Sequence, residues 1–345
     1  MKIGLQLGYW GAQPPNSALE RLIEAERLGF DTVFTAEAYG SDALTPLAWW
    51  GSSTSTINLA TSIIQMSART PTATAMAAVT LDHLSRGRFS LGLGVSGPQV
   101  VEGWYGQPFA QPLARTREYV EIVRRVLARG EPVSSPGPHN QIPYAGPGAT
   151  GLGKPLKSIV HPLRADMSIY LGSEGPKNVA LTAEIADGWL PLYYSPRVAS
   201  MYNEWLAEGF ARPGARRSAD DFEIMATVTV VVTDRRDEVL ESMKPMVGLY
   251  VGGMGAKEVN FHKNVFARMG YEKQAETIQD LYLAGKKGEA LAAIPTQMVA
   301  DISLVGTADQ IRDELAMWDE AGVTMIVVGA RDVDEMREVA EVILG

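Results

Sequence analysis

Short runs of apolar and β-branched residues alternate with amphipathic helical stretches along the whole chain. That alternation confines the fold to an α/β architecture. Ile3 to Gly8 reads as the first strand. The helix after it carries Leu19, Leu22 and Ile23 on one stripe, opens on a Ser17–Glu20 capping box and stops at Gly29. Further strands are expected at 31–35, 57–65, 88–94, 168–172, 188–192, 222–233 and 323–329. Helices are expected after Pro71 to about Gly87, at about 114–129, from Gly175 to about Asp187, between a second capping box at Thr307–Gln310 and Gly322, and from Arg331 onward. Eight strands with helices between them fit a closed (β/α)8 TIM barrel; an open doubly wound sheet shows the same alternation.

Two stretches break the rhythm. Residues 131–167 hold seven prolines and five glycines without a sustained period, which reads as a long ordered loop. Residues 234–300 read as helices interrupted by GLYVGGMG, with no obvious strand. A barrel needs about 250 residues, and these insertions account for most of the surplus in a chain of 345. No Pro/Gly/Ser linker divides the sequence, so 1–345 is expected to be one domain. Both insertions are expected at the barrel's C-terminal mouth, the first only by climbing back from a helix end.

Composition removes several chemistries. There is no cysteine, hence no disulfide, thiolate metal site or cysteine nucleophile. A net charge of -9 argues against a nucleic-acid or anionic-membrane partner. No run of about 18 apolar residues suggests a membrane span. The opening MKIGLQLG reads as a strand rather than a signal peptide, so the expected location is cytoplasmic. His83, His139, His161 and His262 are scattered, with no ligand spacing for a metal, and each reads as an ordinary surface or core histidine. No G-x-S-x-G elbow supports a serine triad.

A barrel places its active site where the strands end. Tyr9 and Trp10 follow the first strand there, Glu37 the second, Val95, Ser96 and Gly97 and then Trp104 the fourth, and Trp189 and Tyr193 belong to the sixth. Five of the seven tryptophans (Trp10, Trp49, Trp50, Trp104 and Trp189) fall at or beyond strand ends, which suits a flat or apolar ligand. Packing under helices is the plainer reading for Trp49 and Trp50. Glu37 is the one acidic residue just past a strand end with aromatic neighbours, a candidate acid or base or else a solvated loop carboxylate. Gly92, Gly94 and Gly97 match G-x-G-x-x-G, but Pro98 follows and no clear helix begins before about 114. A dinucleotide fold requires a helix at once. A backbone open to close approach by a planar ring fits better.

Gly172, Ser173, Glu174, Gly175, Pro176 and Lys177 open a helix with proline at its first position. Its exposed N–H groups and dipole favour an anion, and Lys177 adds a full charge. Between 151 and 180 the four cations Lys154, Lys157, Arg164 and Lys177 exceed the two anions Asp166 and Glu174, a local balance of 4 - 2 = +2. A phosphate site is expected there.

The stretches LATSIIQ, GRFSLGLGVSGP, YLGSEGPKNVALTAEIADGWLP and ISLVGTADQIRDELAMWDEAGV resemble the luciferase-like flavin and deazaflavin oxidoreductases. The nearer branch uses coenzyme F420 and includes methylenetetrahydromethanopterin reductase and F420-dependent glucose-6-phosphate dehydrogenase. The pattern also looks like actinobacterial members of unassigned substrate. The resemblance implies a deazaflavin at the C-terminal face, backed by a bulge with a non-prolyl cis peptide at Ser62–Ile63. It also implies that Gln65 meets the ring's polar rim, that Gly94, Val95, Ser96 and Gly97 line its edge, and that the 172–177 loop holds the phosphate. The sugar-phosphate dehydrogenases have an Asp-His pair where this chain has Glu37-Ala38, and a glutamate where it has Gly97. The expected enzyme is therefore an F420-dependent oxidoreductase acting on an apolar or conjugated molecule such as an enone or imine. Glu37 or water would supply the proton, and a homodimer is the default assembly. An FMN-dependent monooxygenase on the same barrel is the alternative, and a non-catalytic flavin-binding protein a third reading.

Overall fold

The computed structural model describes residues 1–13, 15–255, 257 and 260–345. Among the described residues ten strands run in chain order: β1 (Lys2–Gly8), β2 (Thr32–Thr35), β3 (Asn58–Thr61), β4 (Ile64–Gln65), β5 (Phe89–Gly94), β6 (Ile169–Gly172), β7 (Gly188–Trp189), β8 (Glu223–Val232), β9 (Ser303–Gly306) and β10 (Met325–Val328). Every pairing between them is parallel. β3 and β4 are two halves of one stave, both against β5. β8 pairs with β7 and with β10, and β10 returns to β1, so eight staves close a ring. Closure excludes the open doubly wound sheet. β9 joins only the outer half of β8, at Thr229–Val232, and stands beyond the ring on its C-terminal side.

The barrel interior is filled by Phe34, Ala60, Leu190, Met225, Met325 and Val327, with Ile63 and Tyr170 packed against them. The larger core lies between the staves and the helices around them. The second insertion has an apolar core of its own, including Val247, Val251, Phe266, Ile278 and Met298, and Tyr193 of the barrel joins it. Two π-helical turns, Leu249–Gly253 and Ala267–Tyr271, lie within that insertion.

Local expectations fared unevenly. The Thr307–Gln310 capping box forms. The Ser17–Glu20 box does not: Ser17 sits at φ 51°, ψ 23°, and no side-chain cap forms. An N-cap hydroxyl works from extended backbone, not from the left-handed region. Buried Arg21 fixes this helix start instead, donating to the carbonyls of Ala330 and Asn16. The expected strand 57–65 is split at Ser62–Ile63, and helices at Leu44–Gly51, Pro98–Gly103 and Ala199–Phe210 went unread, as did β9.

The first insertion is the loop expected, crossed by two short antiparallel bridges, Val133 to Leu156 and Ser135 to Ile142. Its contacts keep it off the mouth. Ser158 O accepts from Arg129 Nε and Ser134 O from Arg125, at the end of the helix Pro112–Ala128. It rises alongside that helix as far as Glu118, whose Oε2 accepts from His139 N. It then descends to Arg164, which binds Asp82 and the carbonyl of Phe89 where β5 begins.

Candidate active site

The C-terminal mouth is organised around the break between β3 and β4. The Ser62–Ile63 peptide is cis. The bulge is pinned to the end of β2: Ser62 N donates to Thr35 O (2.7 Å) and Glu37 N to Ile63 O (3.1 Å). Glycines give it room. A Cβ at Gly94 would lie 2.8 Å from Ile63 Cδ1, and one at Gly172 3.0 Å from Ile63 Cγ2. At Gly92 a Cβ would come within 1.8 Å of Thr61 O. The glycine pattern around β5 is therefore a packing requirement of the neighbouring stave, not a nucleotide fingerprint. A short helix does begin at Pro98, contrary to expectation. Val95, Ser96 and Gly97 are half-buried on the way to it, with Ser96 in the left-handed region at φ 60°.

Glu37 turns inward. Its Oε1 accepts from Gln65 N (2.8 Å) and Arg69 Nη1 (2.8 Å), and Oε2 accepts from Arg69 Nη2 (3.0 Å). The Glu37 side chain is only 2% exposed. Tyr105 closes over the adjacent backbone by donating to Ala38 O. The carboxylate expected to supply a proton is thus shut away from the mouth, with both oxygens engaged. Arg69, unread in the sequence, is its partner. Gln65 is buried too; its Nε2 leans toward Glu37 O (3.4 Å), and its Oε1 has no partner. An orphaned acceptor beside a glycine-lined bulge is what a planar group with N–H donors at its rim would satisfy.

The helix Pro176–Ile185 starts at the end of β6. Gly175 holds φ 80°, ψ 158°, a conformation open to glycine. Ser173 is buried, its hydroxyl on Thr182 and its carbonyl accepting from Trp189 Nε1 (2.9 Å). Trp189, expected in the substrate pocket, is thus committed through its indole N–H to this loop. It is 2% exposed and packs edge-on against Tyr194 and Tyr202, holding the loop from beneath. Pro176 and Lys177 are exposed at the helix start. The +2 balance of the sequence window does not gather there. Arg164 is paired with Asp82, and Lys157 donates to Gly130 O at the far end of the helix Pro112–Ala128. A different cation approaches instead: a Cβ at Gly175 would lie 3.7 Å from both Nη atoms of Arg268, which comes from a π-turn of the second insertion and sits over the Trp205 ring.

Aromatic side chains line the rest of the mouth. Trp10 stacks on Trp50 (6.3 Å, 27°), and the exposed Trp104 and Tyr39 meet at 6.5 Å. Tyr9 is half exposed. Tyr193 is buried at φ 58°, edge-on to Tyr250 (5.3 Å) and His262 (6.3 Å) and tilted against Phe266. Burial pushes the phenols of Tyr193 and Tyr250 well above their ordinary value, so both stay protonated at neutral pH. His262 was read as an ordinary histidine. It is in fact bonded through Nδ1 to Glu174 Oε1 (2.9 Å) across 88 positions of sequence. No spacing rule could have found that pair, because the insertion's path is not written in local periodicity. Among the described residues no group of His, Asp or Glu is arranged to hold a metal.

Residues 3–325 match the family described as luciferase-like monooxygenase. A Mycobacterium tuberculosis protein provisionally named a coenzyme F420-dependent oxidoreductase is 63% identical over 99% of each chain. The 5,10-methylenetetrahydromethanopterin reductase of Archaeoglobus fulgidus is 28% identical over 89% of this chain and 87% of its own. Among solved structures, the coenzyme F420 dependent tetrahydromethanopterin reductase from Methanopyrus kandleri superposes with a TM-score of 0.81 at 24% identity, over 99% of this chain and 98% of that one, a likeness of fold.

Proposed function

The chain belongs to the luciferase-like monooxygenase family, and from that premise we propose that it is a coenzyme F420-dependent oxidoreductase acting on an apolar, conjugated organic molecule. The observation that carries the cofactor site is the orphaned Oε1 of buried Gln65 beside the Ser62–Ile63 bulge and its cleared glycines. The choice of F420 over FMN is supported by the name of the 63% identical relative.

When bound, the deazaflavin supplies hydride transfer, and the protein supplies position and exclusion of water. Ser62 and Ile63 would back the ring, and Gln65 would accept from its rim. Gly94, Val95, Ser96 and Gly97 would line its edge. Gly172, Ser173 and Gly175 would present backbone N–H groups to the phosphate and Pro176 would fix the helix start behind them, with Lys177 and Arg268 supplying charge. Glu37, through Arg69 and the Gln65 amide, would hold the bulge rather than move a proton. Tyr9, Trp10 and Trp104 would wall the substrate. None of the described helices is long and apolar enough to cross a membrane. We extend the reading to a homodimer, because Trp49, Met76 and Leu84 stand exposed on the neighbouring helices Leu44–Gly51 and Pro71–Leu84. Sedimentation should show twice the monomer mass.

The test is turnover. The protein with reduced F420 and 2-cyclohexen-1-one under anaerobic conditions should regenerate oxidised F420. Firm binding without turnover of this or any other conjugated acceptor would indicate a flavin-binding protein instead.

A further inference from the structure

Each hydride delivered to a conjugated carbonyl needs a matching proton, and Glu37 is closed off from the mouth. We propose that His262, oriented by Glu174, is the acid that protonates the carbonyl oxygen of an enone substrate. The inference rests on the F420 reading above and adds the proton donor and the substrate's functional group.

The dyad is assembled from parts that meet only in the folded protein. Glu174 comes from the loop after β6 and His262 from the helix Phe261–Phe266 of the second insertion. Asn260 fixes the second part. It caps that helix by accepting from Lys263 N (2.9 Å), and its Nδ2 donates to Tyr250 O (3.2 Å) and Val251 O (2.9 Å). The π-turn that carries Tyr250 is thereby tied to the helix that carries His262. The imidazole ring packs edge-on to Tyr250 at 5.1 Å, so its rotation is limited as well.

A carboxylate on Nδ1 sets the tautomer: Nδ1 donates to Glu174, and Nε2 is the atom presented outward. No described residue bonds Nε2, and the side chain is 23% exposed. Glu174 Oε2 is buried without a partner. Among the described residues the His262 Nδ1–H is the one donor bonded to that carboxylate, so the two side chains are fixed on each other. The other titratable groups facing His262 do not compete. Tyr193 and Tyr250 stay protonated, uncharged phenols, because burial raises both, and Tyr9 is hydrogen-bonded to Tyr250. Lys263 is turned away to Gln279 Oε1, and Arg268 lies on the Gly175 side.

The step balances. As hydride reaches the β-carbon of the enone, the C=C electrons move toward the carbonyl and its oxygen becomes basic. The Nε2–H bond breaks, an O–H bond forms, and the enol tautomerises in water. The substrate gains two electrons, and the reduced cofactor loses two together with its remaining ring proton, which passes to solvent. Neutral His262 regains its proton from water.

His262→Gln and Glu174→Gln test the assignment, with reduced F420 and 2-cyclohexen-1-one as probes. General acid catalysis contributes on the order of 100-fold or more. His262→Gln should lose about that factor in kcat while F420 affinity and Tm stay unchanged, and added imidazole should restore part of the rate. The wild-type rate should fall as rising pH removes the imidazole proton, whereas the variant's should be flat. Glu174→Gln should show a smaller loss in kcat. A readout without turnover is 4-nitrophenol bound beside oxidised F420: the wild type should hold it as the coloured phenolate at a pH where His262→Gln holds the neutral phenol. An unchanged kcat and pH profile in His262→Gln would overturn the inference. So would a loss of F420 affinity with kcat intact, which would place His262 in the cofactor site. Failure of the wild type to reduce the enone while it binds F420 and reduces another conjugated acceptor would overturn this inference alone; failure to bind F420, or binding without turnover of any acceptor, would overturn the reading beneath it.

Discussion

The Glu37 carboxylate and the Arg69 guanidinium meet in a two-pronged ion pair, 2.8 and 3.0 Å, directly behind the bulge at Ser62–Ile63. Removing one partner of a buried pair leaves the other charge uncompensated. Arg69 retains some solvent, so the cost is set below the fully buried range. Glu37→Gln should lower stability by about 2 kcal/mol and weaken F420 binding, with no change in the shape of the pH–rate profile. Thermal melts and F420 titration check this. A variant of normal stability and affinity whose turnover alone is lost would restore Glu37 as the acid.

Two glycines of β5 differ in what crowds them. At Gly92 the obstacle is the Thr61 backbone carbonyl, which has nowhere to go. Gly92→Ala should cost about 3 kcal/mol or more and give little soluble protein. At Gly94 the obstacle is the end of the Ile63 side chain. Gly94→Ala should fold, with Ile63 displaced and F420 affinity reduced. Equal behaviour of the two variants would contradict the packing account.

At the helix start Gly175-Pro176-Lys177, reversing one charge should be felt by an anion and not by the fold. Lys177→Glu should weaken F420 binding by about tenfold at low salt, and the difference should shrink as salt screens it. Arg268→Met should act in the same direction. Unchanged affinity in both would remove the phosphate from this loop.

Glu26 offers a pH test far from the mouth. Burial opposes its charge, but the amides of Thr56, Ile57 and Ser55 and the Thr56 hydroxyl outweigh that and hold its carboxyl at about 2, against an ordinary 4.5. A depressed carboxylate stabilises the fold above its unfolded value and loses that contribution as pH falls. The stability gap between wild type and Glu26→Gln should be full above 4.5 and should close as pH falls from 4.5 toward 2. A gap independent of pH would contradict the assignment.

The α/β alternation was legible because strand periodicity and helix stripes are local signals, whereas closure into a barrel was implied only by the family resemblance. The bulge position was legible through motif resemblance, and the helix start at Pro176 through its own chemistry. What escaped was long-range. Arg69 acquires meaning only when Glu37 folds onto it, and Arg268 and His262 only when a helical insertion closes over β6. Trp189 was misplaced because two-residue β7 turns it under the loop rather than into the mouth. The charge window at 151–180 misled because sequence neighbours there lie at opposite ends of the barrel.

The claim at the centre is the identity of the cofactor, and a titration tests it most directly. Purified protein stripped of flavin is titrated separately with F420 and with FMN, and fluorescence is followed to saturation. The account predicts saturable binding of F420, one per chain, at least about tenfold tighter than FMN, and weakened by Lys177→Glu. Tighter binding of FMN than of F420 would contradict it.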